Sequence, residues 1–396
     1  MARRLPIRWL VLGVFVLSSA LNYLDRQVLT QLAPLLKSGF QLSNRDFGFV
    51  LSAFSVIYAV AAPLAGFYID RVGLNRGVSF AVGLWSLSGI ATGFANGFTG
   101  LLATRMGLGL FQAGGVPAVG KAIRQYLLPG ERALGQAAGQ LGISAGAVLA
   151  PPLATWLALH YGWRWAFWLT GLVGFLWIPL WLRASRLAPV QPEPPLASQE
   201  RVSELLGSPR LWGFVLANAL GMVPYTLWTN WTTIYLVEAH GLKLTDTAWL
   251  AGFPPFAAPF GGFLGGWLSL RLIRQGWEPL AARRRACLLS AFAILLTAAV
   301  PLMPAATLAA LAIGASLFFS SAFNVNVYAM PLDAFSGARA AFGVSMLTGA
   351  YGAMQTVISP LIGSLVDRYG FQPVCLAAAV LPLASFAVLR LTDRPT

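Results

Sequence analysis

Three ionisable side chains stand in apolar surroundings, and two of them are neighbours. The stretch SALNYLDRQVLT, residues 19–30, sets Asp25 and Arg26 side by side in an apolar run that begins near Trp9. The stretch ATRMGLGLFQAGG sets Arg105 in a second run, with Gln112 two turns later on the same helical face. A carboxyl group can take up and release a proton, and a guanidinium can grip a carboxylate with two parallel hydrogen bonds. Asn22 and Arg26 form an i, i+4 pair, flanked by Tyr23 and Asp25. The three charges leave +1 with Asp25 ionised and +2 with it protonated. Such a site suits an organic anion, whose hydroxyls tyrosine and asparagine can read.

Composition says what must position these groups. The 396 residues are 57% hydrophobic and only 10% charged, against about 25% charged in soluble domains. Apolar runs of roughly 20 residues recur, the length that crosses a bilayer as a helix. The short alternating runs of a β-barrel are absent from the sequence. An all-α membrane protein is expected, with twelve spans near 8–36, 44–70, 77–95, 98–125, 133–160, 163–183, 210–238, 245–274, 284–303, 305–331, 338–366 and 371–391. Asp25 then lies about 25 Å beyond Arg8, at 1.5 Å per residue. A charge facing lipid at that depth costs at least about 2.5 kcal/mol, so Asp25 and Arg26 should face protein or water.

The 27 lysines and arginines sort unevenly about these spans. Twenty fall on the side of the N-terminus and five on the other (Lys37, Arg45, Arg164, Lys243 and Arg368), while Arg26 and Arg105 sit within spans. That split places both termini in the cytoplasm. The net charge of +14 is spread over span ends, so no nucleic-acid face is expected. Arg3, Arg4, Arg8 and Ser18-Ser19-Ala20 loosely imitate a signal peptide, but the apolar run continues beyond them.

A proline-rich connection, QPEPPLASQERVSE, divides the chain into a first bundle of residues 1–183, a linker 184–209 and a second bundle 210–396. Pro152, Tyr161 and Gly162 recur 208 positions later as Pro360, Tyr369 and Gly370. Six spans repeated in parallel are a transporter pattern, with the site expected near mid-membrane where the repeats meet. The second half offers Asn230, Asn324, Asn326, Tyr351 and Gln355 as polar candidates.

Other features read as structural. Gly135, Gly139, Gly142 and Gly146 share one face of span five and should admit close helix packing, within a half or between the halves. Trp156, Trp163, Trp165 and Trp168 suit interfacial anchors. His160 and His240 have no companions at ligand spacing, so no metal is expected. Cys287 and Cys375 read as small buried hydrophobes. No nucleophile, metal cluster or acid pair points to an enzyme.

The stretch GFYIDRVGLNR, Gly66 to Arg76, resembles the signature loop of the major facilitator superfamily. Asp70, with Arg71 and Arg76, would act there as a gate latch; in the second half Leu270 stands at the position of the acid. NYLDRQ, FGFVLSAFSVIYAVAAPLAGFYIDR, TRMGLGLFQAGGVPA, LPGERA, YGWRWAFWLTG and PLIGSLVDRYGF together resemble the anion:cation symporter family of that superfamily, with hexuronate and galactonate carriers as its nearest relatives. The resemblance implies a bacterial inner-membrane importer of sugar acids, coupled to protons, with no other cofactor, a lipid bilayer around it and function as a monomer. It implies Tyr23, Arg26, Tyr58 and Arg105 as substrate residues and Asp25 as the proton carrier. Where galactonate carriers have a second acid, Gln112 cannot ionise. Gln112, Asn230 and Asn326 complete the substrate set expected from the residues. Asp25 is expected to pair with Arg105 or Arg26 until protonated. An anion exchanger or uniporter on the same fold is the alternative, and excess base disfavours an exporter of cationic drugs.

Overall fold

A computed structural model describes residues 7–128, 131–190, 202–335 and 337–392. Each expected span is helical. In chain order the helices are α1 (Ile7–Gln31), α2 (Ala33–Phe40), α3 (Asn44–Val72), α4 (Leu74–Thr92), α5 (Phe98–Gln112), α6 (Gly115–Tyr126), α7 (Arg132–His160) and α8 (Trp163–Ala184). They continue as α9 (Pro209–Gly221), α10 (Val223–His240), α11 (Leu244–Arg274), α12 (Pro279–Ile294), α13 (Ala306–Ala334), α14 (Gly337–Tyr369) and α15 (Phe371–Thr392). Among the described residues, nine stretches are long and apolar enough to cross a membrane.

Three spans are interrupted. The first breaks at Leu32, where Pro34 opens α2, and the seventh at Met222, with Pro224 in the first turn of α10. Proline suits those places because its missing N–H falls among the first donors of a helix, which have no partner in any case. The fourth breaks at Ala113 and Gly114, between α5 and α6. Gly73, at φ +87°, makes the turn from α3 into α4, a conformation that a side chain would strain.

Contacts divide the chain into two compact units, Met1–Leu42 with Phe49–Pro195, and Ser43–Gly48 with Leu196–Thr396. In the first unit Phe15, Trp85, Tyr126, Trp177 and Trp181 form the centre of the core. Trp177 and Trp181 stack at 5.7 Å, and Phe15 meets Trp181 edge-on at 5.1 Å. The Trp177 indole N–H donates to the Val14 carbonyl at 2.7 Å. The glycine face of α7 packs inside this unit. A methyl group on Gly142 would lie 2.6 Å from Val16, and one on Gly146 would overlap the Ala20 carbonyl. Lipid is as apolar as leucine, so such backbone proximity supplies association that solvent exclusion cannot.

In the second unit Gly261 and Gly265 of α11 bring its backbone against α13 in the same way. Cys287 and Cys375 are buried free thiols. Asn218 donates to the Leu347 carbonyl at 2.8 Å, and Ser385 to the Ala217 carbonyl at 2.7 Å, tying helices through the core. The first turn of α3 belongs here. Ser43 and Asp46 exchange hydrogen bonds of 3.0 Å as a capping box. Asp367 accepts from the backbone N–H groups of Asn44 and Arg45 at 3.0 and 2.9 Å.

Candidate functional site

One face of α1 builds the site. Phe15, Ser18, Ser19, Asn22, Tyr23 and Arg26 recur at helical spacing of three and four, and all six line an open cavity in the first unit, whose empty space with the open solvent at its mouth included is about 500 Å³. Gln112, Tyr58, Trp85 and Val119 complete much of the wall. Arg26 is its cation. Its Nε donates to Gln112 Oε1 at 2.8 Å, and Gln112 Nε2 donates onward to the Asn22 carbonyl at 3.3 Å. Three rings surround the guanidinium carbon: Phe54 at 4.4 Å, Tyr58 at 4.8 Å and Tyr23 at 5.1 Å. Phe54 and Tyr58 stack on each other at 5.5 Å. Arginine over aromatic faces gains cation–π attraction while staying fully charged. The Gln112 amide thus fixes one edge of the guanidinium without neutralising it. No carboxylate pairs with Arg26 among the described ion pairs.

Asp25 faces away from this cavity. One residue along a helix turns a side chain by roughly 100°, and here the turn carries Asp25 among Arg105 of α5 and Thr170 of α8. Asp25 is 3% exposed and Arg105 2%. Arg105 Nη2 donates to Thr92 Oγ1 at 2.9 Å, and its guanidinium lies 5.9 Å from the Phe167 ring. Neither Asp25 oxygen has a hydrogen-bond partner, and Arg105 Nε has none either. The Thr170 hydroxyl beside Asp25 donates instead to the Phe167 carbonyl at 3.3 Å. Asp25 and Arg105 act on each other through space, but the expected hydrogen-bonded ion pair is not formed. Arg105 does not line the cavity of Arg26, because α5 folds it against α4 and α8.

The remaining candidates divide. Asn326 is fully buried, its amide donating to the Gly265 and Ala322 carbonyls at 3.0 and 2.9 Å. The first bond clamps α11 on α13, and the second returns to α13 itself. Asn230 is half-buried on α10. Gln355 donates to the Tyr351 hydroxyl at 2.9 Å along α14. Arg71 and Arg76 are exposed at the turn after α3; the side chain of Asp70 lies outside the described residues. Lys121, counted on the N-terminal side and within the fourth expected span, is buried on α6, with Nζ donating to the Ile69 carbonyl at 3.1 Å near the end of α3. Sequence reasoning also missed Phe54, Thr92 and Thr170. Only Phe54 carried a signal, as the i−4 neighbour of Tyr58.

The sequence model of the Major Facilitator Superfamily matches residues 15–323. The chain belongs to the Major Facilitator Superfamily. Like other members of that superfamily it is a multi-pass membrane transporter, not an enzyme. It is 28% identical to the galacturonate transporter of Dickeya chrysanthemi, over 67% of this chain and 82% of that one. It is 25% identical to the hexuronate transporter of Escherichia coli K12, over 97% of this chain and 93% of that one. Among solved structures, a bacterial homologue of the human lysosomal transporter Spinster, crystallised inward-facing and unoccupied, superposes with a TM-score of 0.76 at 22% identity. That match covers 98% of this chain and 95% of the other, and it shows the major facilitator fold. The chain is thus a secondary transporter related to transporters of sugar acids.

Proposed function

We propose that this protein imports a sugar acid of the hexuronate or aldonate class together with protons, across a bacterial inner membrane, with both termini in the cytoplasm. The observation that carries the reading is the Arg26 guanidinium, held by a neutral amide, ringed by three aromatic side chains and facing a cavity. A carboxylate binding there meets two nitrogens pre-aligned for a fork of parallel hydrogen bonds. Tyr23, Tyr58 and Asn22 stand within the same wall to meet hydroxyls. Asp25 is the one embedded carboxyl group in the sequence, and Arg105 is the cation beside it. Protonation of Asp25 removes a charge that low-dielectric surroundings oppose, which allows the transporter to change conformation. Asp70, Arg71 and Arg76 latch and release that change. Uptake into proteoliposomes decides the matter. An inward-directed proton gradient should drive accumulation of galacturonate, Asp25→Asn should abolish that drive while exchange continues, and Arg26→Ala should abolish both. Proton-driven uptake that survives intact in Asp25→Asn would sink the coupling role.

A second reading, exchange of one carboxylate for another, has one observation in its favour. Asp25 is enclosed away from the cavity that holds Arg26, and Gln112 has no proton to give. Uptake that requires internal substrate and ignores the proton gradient would establish it.

A further inference from the structure

We infer that the hairpin joining α11 to α12 binds the headgroup of an anionic phospholipid. Arg271, Arg274, Arg283, Arg284 and Arg285 fall within this short stretch, and Glu278 is its sole acid. Glu278 is occupied as the N-cap of α12, where it accepts from the Ala281 N–H at 3.2 Å. Arg283 pairs with Asp333 of α13. Arg271, Arg274 and Arg285 remain exposed.

The turn is tight. Gly276 takes φ +92°, and the Trp277 N–H donates back to the Leu272 carbonyl at 3.2 Å. That bond holds Trp277 against the end of α11. The guanidinium of Arg285, from α12, lies over its ring at 4.9 Å. Arg271 lies over Trp267 in the same manner at 5.4 Å. Both tryptophans are exposed, Trp277 at 39% and Trp267 at 53%. Arginines of two helices therefore flank one turn, with two of them resting on indoles of the type that settle at headgroup depth.

Electrostatics asks for an anion there. The N-terminus of α12 carries a partial positive charge, and three consecutive arginines follow it within two turns. Sequence adds an independent pointer. Gly66, Asp70 and Arg71 at the end of α3 correspond, 200 positions on, to Gly266, Leu270 and Arg271. The acid of the first loop has no counterpart in the second, and a lipid phosphate supplies the missing negative charge. Arginines at span ends also set orientation, but orientation requires neither indoles beneath them nor the loss of that acid.

The test uses the full chain in detergent, titrated with mixed micelles of phosphatidylglycerol or phosphatidylcholine and read by native mass spectrometry. Phosphatidylglycerol should bind in preference to phosphatidylcholine. Each arginine near an anionic lipid surface contributes roughly five-fold, so Arg271→Gln with Arg274→Gln and Arg285→Gln should weaken binding about a hundred-fold. Removing the same charge elsewhere, by Arg124→Gln with Arg183→Gln and Arg186→Gln, should change it by less than about five-fold. Equal losses in both triple variants would overturn the inference, as would displacement of the lipid by inorganic phosphate. Should the first triple variant fail to fold, the parent protein still decides, since equal binding of the two lipids sinks the proposal.

Discussion

Replacing Gln112 by glutamate is the sharpest probe of the anion site, because it changes charge at nearly constant shape. In the parent, Gln112 Oε1 accepts from Arg26 Nε at 2.8 Å and leaves the guanidinium with its full charge. A carboxylate at that position would accept the same bond and neutralise the cation. Two unit charges about 4 Å apart interact by about 4 kcal/mol at an effective dielectric of 20. The substrate carboxylate would then compete for an arginine that is already paired. A hydrogen bond to a charged group contributes about 1.5–3 kcal/mol, so Gln112→Glu should weaken galacturonate binding roughly ten- to a hundred-fold at neutral pH. Protonating the new acid removes the competition, so affinity should recover as the pH falls. Isothermal titration of the purified protein across the acid-to-neutral range reads both effects. Gln112→Met supplies the control, since it removes the hydrogen bond without adding charge and should weaken binding by a smaller, pH-independent factor. If Gln112→Glu binds galacturonate as the parent does at every pH, Arg26 is not the anchor of the anion.

Other consequences are equally open to measurement. The Glu131 carboxylate is held below the usual glutamate range, chiefly by its hydrogen bond from Arg8; its stabilising contribution is therefore present above that range and lost as pH falls through the lowered pKa. Thermal midpoints of the parent and Glu131→Gln should differ at neutral pH and converge in acid. Gly146→Leu should drive α1 from α7, because even a methyl group overlaps the Ala20 carbonyl; overpacking of about 1–3 kcal/mol or more should appear as a lower midpoint and a poor yield of monodisperse protein. Asn326→Leu should cost about 1 kcal/mol of stability through the lost interhelical bond to Gly265, and a change in substrate affinity at matched stability would contradict its place as a clamp.

The spans were legible in the sequence because a bilayer imposes length and apolarity on every one of them. Helical spacing and the embedded charge put Tyr23 and Arg26 together in the sequence, whereas Tyr58 entered only through the family resemblance and Gln112 was read on the face of Arg105. What failed was the inference from adjacency. Asp25 and Arg26 are neighbours in the chain, yet the angular step of a helix sends one into the cavity wall and the other among α5 and α8. An asparagine reads alike whether it lines a cavity or bonds to a neighbouring backbone, so Asn326 gave no sign of its commitment to Gly265. Lys121 lies within its expected span, but nothing local announces that its ammonium turns inward to the Ile69 carbonyl of α3. Thr92 meets Arg105 of the next span, and Thr170 of α8 lies beside Asp25 of α1; no local pattern announces either meeting.

Gln112 is the last residue of α5, and the interruption at Ala113 and Gly114 follows at once. The side chain that steadies the guanidinium therefore hangs from a joint in the backbone. Flexing at that joint would swing the amide relative to α1, loosening or tightening its hold on Arg26 while the aromatic collar stays in place. If Arg26 anchors the anion as proposed, grip on the cargo and bending of the fourth span would be mechanically linked.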